Sequence, residues 1–163
     1  MLFRSSALEL LTDEETEKLA AWNDTPPTDP AARCIHELIA EQAVKAPQAV
    51  ALEQDGQQLS YSEFEAQANR LAHHLRALGV GPEVRVALCV QRSFDMVVGL
   101  VAILKAGGAF VPLDPSSPPD RLSLLLAEAE APVLLTHADV RLSAPGVTVV
   151  RLDADAAQWA SQP

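Results

Sequence analysis

The chain has 163 residues, 48% of them hydrophobic and 21% charged, with a net charge of −10. That length supports one domain with its own core, and that composition excludes a wholly disordered chain. So acidic a balance also excludes an electrostatic footprint for nucleic acid or for an anionic membrane. The longest apolar run, Met96 to Leu104, stops at Lys105, well short of the roughly 18–20 residues a spanning helix needs. Glu9 interrupts the N-terminus before a signal-peptide core forms. Cys34 and Cys89 show no metal spacing and make no disulfide framework. Both are expected as buried thiols in a reducing cytoplasm.

Residues 1–5, MLFRS, read like the translated end of a sequencing adapter and are taken as a non-native leader. Thr12-Asp13-Glu14-Glu15 is a capping box that opens a helix to about Ala21. Pro26, Pro27 and Pro30 then make residues 22–33 an extended linker. Ile35, Leu38, Ile39 and Ala43 recur at helical spacing between Cys34 and Ala46, and Pro47 stops that helix. A strand over 49–53, the turn Asp55-Gly56 and a second strand over 57–61 predict a hairpin. A second capping box, Ser60-Tyr61-Ser62-Glu63, opens a helix whose stripe is Phe64, Ala68, Leu71, Ala72, Leu75 and Leu78, with Gly79 as its left-handed cap.

From residue 84 the pattern alternates. A strand over 84–90 precedes a nearly all-apolar helix, Phe94 to about Ala106, capped by Ser93 and ended by Gly107-Gly108. A strand over 109–113 follows, then a helix opened by Pro118-Pro119 with Leu122, Leu125 and Leu126 on one face. Strands over 133–136 and 147–152 complete it, and the tail 153–163 has no clear endpoint. Alternating strands and helices predict an α/β fold, helices layered around a largely parallel sheet.

Chemical candidates are few. Lys105 precedes Gly107 and Gly108, and Ala109 follows, so the stretch fails as a P-loop, which needs the lysine after the glycines and a hydroxyl beside it. It fails as a dinucleotide fingerprint because its glycines end a helix. Lys105 is instead expected to complement the helix C-terminal dipole. His73-His74 resembles the H-H-x-x-x-D-G pattern of acyl-transfer condensation domains, but Leu78 holds the aspartate place, which leaves a solvated helix face. His36 and Glu37 are helix neighbours and point about 100° apart. His137 and Asp139 fall in a loop, and Asp114, Asp120 and Arg121 surround a proline turn as a cap or a local ion pair. No serine lies in G-x-S-x-G and no metal spacing occurs. No catalytic, cofactor-binding or metal-binding residue is assigned.

ILKAGGAFVPLDPSSPPDRL, Ile103 to Leu122, closely resembles the LKAGxAYVPLDPxxPxxR segment of adenylation domains in non-ribosomal peptide synthetases. Leu59-Ser60-Tyr61-Ser62-Glu63-Phe64 resembles their earlier L-[TS]-Y-x-E-L motif, and the residues between the two motifs are similar to the family as well. Leu11-Thr12, Trp22-Asn23-Asp24-Thr25 and Cys34-Ile35-His36-Glu37-Leu38 resemble the linker from a preceding condensation domain. The resemblance runs over roughly residues 8–155. It implies a linker over 6–33 and, over 34–163, the N-terminal portion of the large subdomain of an adenylate-forming enzyme.

Such enzymes form an aminoacyl-AMP from an amino acid and Mg-ATP, then load a phosphopantetheine thiol on a carrier domain. The resemblance implies that the phosphate loop, the substrate-pocket and ribose aspartates and the catalytic lysine lie beyond residue 163. The fragment itself is then expected to hold no cofactor and to be inactive. Its parent's partners would be an amino acid, ATP, an upstream condensation domain and a downstream carrier domain, in the cytoplasm. Two rivals are an acyl-CoA or aryl-acid ligase fragment and a non-catalytic interaction module. As an isolated piece, the sheet is expected to expose an edge and to aggregate.

Overall fold

A computed structural model describes residues 11–24 and 33–162. The leader MLFRS and most of the proline linker lie outside them. The chain divides into two compact units, Met1–Arg33 and Cys34–Pro163. In the first, helix α1 (Asp13–Asn23) starts on its predicted capping box: the Thr12 hydroxyl accepts from the Glu15 amide at 3.3 Å, and the Glu15 carboxylate accepts from the Thr12 amide at 2.8 Å. None of its residues is buried, and Trp22 is exposed.

The second unit begins with α2 (Ile35–Lys45) and a hairpin of β1 (Val50–Gln54) and β2 (Gln57–Ser60). Asp55 and Gly56 both have positive φ, 52° and 76°, as a two-residue type I′ turn requires. Helix α3 (Tyr61–Ala77) starts on the Ser60/Glu63 capping box and buries Phe64, Ala68, Leu71, Ala72 and Leu75. Leu78 does not extend that stripe. The helix has already ended, so Leu78 turns outward, 38% exposed, while Val80 takes the core place. The Gly79 amide bonds to Arg76 O and the Val80 amide to Leu75 O, which is a Schellman ending with Gly79 at φ 90°.

A four-stranded parallel sheet follows, built from β3 (Arg85–Cys89), β4 (Ala109–Pro112), β5 (Val133–Thr136) and β6 (Thr148–Arg151) in the order β4-β3-β5-β6. Helix α4 (Phe94–Ala106) links β3 to β4, and α5 (Pro119–Ala129) links β4 to β5. Alternation along the strands divides the core in two. Val86, Leu88, Val133, Leu135 and Val150 pack with α3 and α4; Ala87, Cys89 and Leu134 pack with Leu122 and Leu126 of α5. Gly99 lets α4 lie close on the sheet, since a Cβ there would stand 3.1 Å from Leu88 Cδ1. The tail ends in a short 3₁₀ turn, Ala156–Gln158, followed by Trp159, which is buried in the first core.

One cysteine departs from expectation. Cys89 is buried in β3, and burial pushes its thiol up to about 11, whereas Cys34 is exposed at the N-cap of α2. An N-cap stands outside the apolar stripe that the helix buries, which is why residue type alone misplaces it. In the native protein a thiol reagent at pH 8 is expected to modify Cys34 alone, and both cysteines after denaturation. Mass mapping of the labelled peptides checks this; rapid native labelling of Cys89 would contradict the core described here.

Candidate functional site

The motif ILKAGG closes α4. The Gly107 amide bonds to Leu104 O and the Gly108 amide to Ile103 O, with Gly107 at φ 92°. This is a second Schellman ending, beside that of α3. The two helix ends touch. A Cβ on Gly108 would lie 2.7 Å from Val80 Cγ1 and 3.1 Å from the Val84 carbonyl oxygen. Both glycines therefore serve the joint, and the space a phosphate would need is filled by protein.

Lys105 has a partner that its own helix does not reveal. Its Nζ donates to Glu65 Oε1 of α3 at 2.6 Å, with the two side chains 12% and 17% exposed. Glu65 Oε2 is buried with no hydrogen-bond partner. Arg76, also of α3, donates to the Lys105 carbonyl. Residues 40 apart in sequence thus clamp α3 to α4, a stronger role than a dipole complement.

The other candidates gather at the carboxyl end of the sheet. The chain leaves β3 for β4 on one side and returns to β5 on the other, so the ends of β3 and β5 form a topological switch point, where α/β sheets bind ligands. There His137 Nε2 meets Asp95 Oδ2 of α4 at 3.0 Å, not its sequence neighbour Asp139. The Ala138 amide donates to both Asp153 oxygens at 3.1 Å, and that bond first among several causes holds the Asp153 carboxyl below its usual range. The Ser93 hydroxyl accepts from the Met96 amide and donates to Gln91 O, so it caps α4. Asp114 accepts from the Ser116 amide at 2.9 Å and from its hydroxyl at 2.8 Å, an Asx turn, and these bonds lower its pKa. Asp120 and Arg121 are exposed in the first turn of α5.

A cleft of about 300 Å³ lies beside this end, with Leu71, Val98 and Leu152 in its lining and Arg70, Asp95 and Trp159 around them. His74 stacks on Trp159 with ring centroids 5.3 Å apart, and burial lowers its pKa, partly offset by Asp155. Only His73 of the pair is exposed, and His74 is half-buried, so the solvated face holds for one histidine. Glu37 accepts from the Cys34 amide at 2.9 Å and acts as a cap, away from His36. Among the described residues, no group of three or more His, Cys, Asp or Glu stands close enough to hold a metal. His137, Asp95, Asp153 and Ser93 at the switch point are each tied into the fold by a hydrogen bond. The arrangement positions helices and loops.

A model of the AMP-binding enzyme family matches residues 39–162. The chain belongs to that family. A linear gramicidin synthase of Brevibacillus parabrevis is 45% identical to this chain over 96% of it, and the match spans 2% of the synthase. The crystal structure of the non-ribosomal peptide synthetase FmoA3 bound to α-methyl-L-serine-AMP is 35% identical, with a TM-score of 0.75 over 84% of this chain and 16% of that one. Its AMPPNP-bound form gives a TM-score of 0.78 at 33% identity, over 88% of this chain and 16% of that one. The likeness to peptide synthetase adenylation domains read from the motifs therefore holds across the fold. The chain spans a small fraction of the length of the proteins it matches.

Proposed function

We propose that residues 34–163 form the N-terminal part of an amino-acid-activating adenylation domain in a modular peptide synthetase, with residues 6–33 as the linker from an upstream condensation domain. In the parent, the carboxylate of the amino acid attacks the α-phosphorus of ATP. Pyrophosphate leaves, and the aminoacyl-AMP passes its acyl group to a carrier-bound phosphopantetheine thiol. The observation that carries this proposal is the 45% identity to a linear gramicidin synthase along 96% of the chain, motifs in order.

The residues present do not fit a Mg-ATP site. Lys105 is engaged by Glu65, and the space at Gly108 is occupied by Val80 and Val84. No chemical step is assigned to them. Their work is architectural: they hold α3, α4 and the sheet in register so that catalytic groups from elsewhere in the parent meet substrate. By itself, the chain is proposed to be inactive and cytoplasmic; among its described residues, no helix is long and apolar enough to cross a membrane. The linker motif Trp22 to Thr25 favours a peptide synthetase over an acyl-CoA or aryl-acid ligase.

The test is the source DNA directly downstream of Pro163. An open frame running into a serine-, threonine- and glycine-rich loop that ends in P-K-G is the expected result. A native stop codon there would overturn the proposal and leave a non-catalytic interaction module.

A further inference from the structure

Residues 155–162, beyond β6, fold on themselves. The Asp155 amide donates to Arg151 O and the Arg151 amide to Asp155 Oδ2, both at 2.8 Å. The Gln158 amide donates to Asp155 O at 2.8 Å, the Trp159 amide to Ala156 O at 3.3 Å and the Gln162 amide to Trp159 O at 3.0 Å. Among the described residues, each hydrogen bond of this segment thus stays within residues 151–162. Such bonds shape a turn, but they do not hold it on the rest of the unit. That hold comes mainly from Trp159, which is 9% exposed and joins the core cluster of Leu71, Leu75, Val98 and Leu152.

His74 of α3 stands against that indole. The ring centroids are 5.3 Å apart and the planes are tilted by 36°. His74 is half-buried there. From the turn, Asp155 is the charged group that acts on it. Arg70, one turn back on α3, and Asp95 of α4 border the same cleft, and Asp95 is bonded to His137. Histidine is the side chain that changes charge near neutral pH, so this contact couples the segment to pH.

We infer that His74 is a pH-sensitive catch: as a neutral ring it packs on Trp159 and holds residues 155–162 against α3, and on taking a proton it lets them go. The direction follows from burial, which disfavours the charged ring. Burial lowers the His74 pKa below its ordinary 6.5, and Asp155 offsets this in part. Above about pH 6.5 the ring is neutral whether the segment is docked or free, and docking is at full strength. As pH falls below that value, the free form takes a proton that the docked form resists, and docking weakens. The indole face pulls the other way, since it attracts a cation. If that attraction won, acid would tighten the contact instead.

The test is tryptophan fluorescence on the full chain carrying Trp22→Phe, so that Trp159 alone emits. From about pH 8 to about pH 5 the emission maximum is expected to shift to the red, with far-UV circular dichroism unchanged. His74→Gln, which stays neutral, is expected to abolish the shift. His73→Gln, at the exposed neighbour, leaves it in place. In amide exchange, Trp159 and Gln162 are expected to lose protection at the acid end while β5 keeps its own. An emission maximum that stays fixed or moves to the blue would overturn the inference, whether or not the His74 variant folds. So would a red shift that persists in a folded His74→Gln chain. Loss of β5 protection in step with Trp159 would overturn it as well, since the whole unit would then be unfolding.

Discussion

Lys105→Ala is expected to cost about 3 kcal/mol of folding stability, because it leaves the Glu65 carboxyl largely buried and without its partner between α3 and α4. The pair's worth is not the Coulomb attraction alone. Desolvation opposes that attraction, and Glu65 Oε2 already lacks a partner. The asymmetry is therefore the sharper expectation. Removing one partner strands the other, whereas replacing both by apolar groups of similar volume removes the whole problem. The double variant Glu65→Leu with Lys105→Met should lie within about 1 kcal/mol of the unmodified protein. Urea unfolding of the singles and the double completes a thermodynamic cycle. A Lys105→Ala cost below about 1 kcal/mol, the size of an exposed ion pair, would sink the clamp.

Gly108→Ala should cost roughly 2 kcal/mol, and Gly108→Val more. A methyl group there would meet Val80 Cγ1 at 2.7 Å and the Val84 carbonyl at 3.1 Å. The carbonyl cannot retreat freely, since it accepts the Ala109 amide at 2.9 Å and so starts the β3–β4 ladder. Val80 cannot retreat freely either, because it sits 4% exposed at the end of α3. The strain falls on the meeting point of two helix ends. Adding Val80→Ala removes the nearer contact and should return part of the loss, with a coupling above about 0.5 kcal/mol. Thermal unfolding of the single and double variants measures it. A Gly108→Ala chain as stable as the unmodified one would mean the joint is looser than described.

Local chemistry explains which parts are legible in the sequence. Both helix starts that carry a capping box are real, because Thr12/Glu15 and Ser60/Glu63 satisfy amides within one turn. The stops at Gly79 and Gly107 and the turn at Asp55-Gly56 are equally legible, since few residues accept those backbone angles. The parallel sheet follows from strand and helix alternation. What escapes is decided at a distance. Glu65 meets Lys105 across 40 residues, and Asp95 meets His137 across 42, with no spacing rule to announce either. Leu78 keeps helical spacing but lies past the helix end, and Cys34 is of a type usually buried yet is exposed by position. Trp159 and Asp155 belong to a tail with no period, so the core contact of one and the Arg151 contact of the other leave no pattern to read. The candidate site is legible mainly by exclusion: the wrong order of lysine and glycines is enough to reject a phosphate loop.

The most direct single measurement is amino-acid-dependent exchange of pyrophosphate into ATP, run on residues 1–163 and on the parent polypeptide in parallel. The 163-residue chain should give no exchange above background, and the parent should exchange with a particular amino acid. Exchange by the short chain alone would contradict a purely architectural role for these residues. A parent that responds only to an aryl or fatty acid would contradict the peptide synthetase assignment.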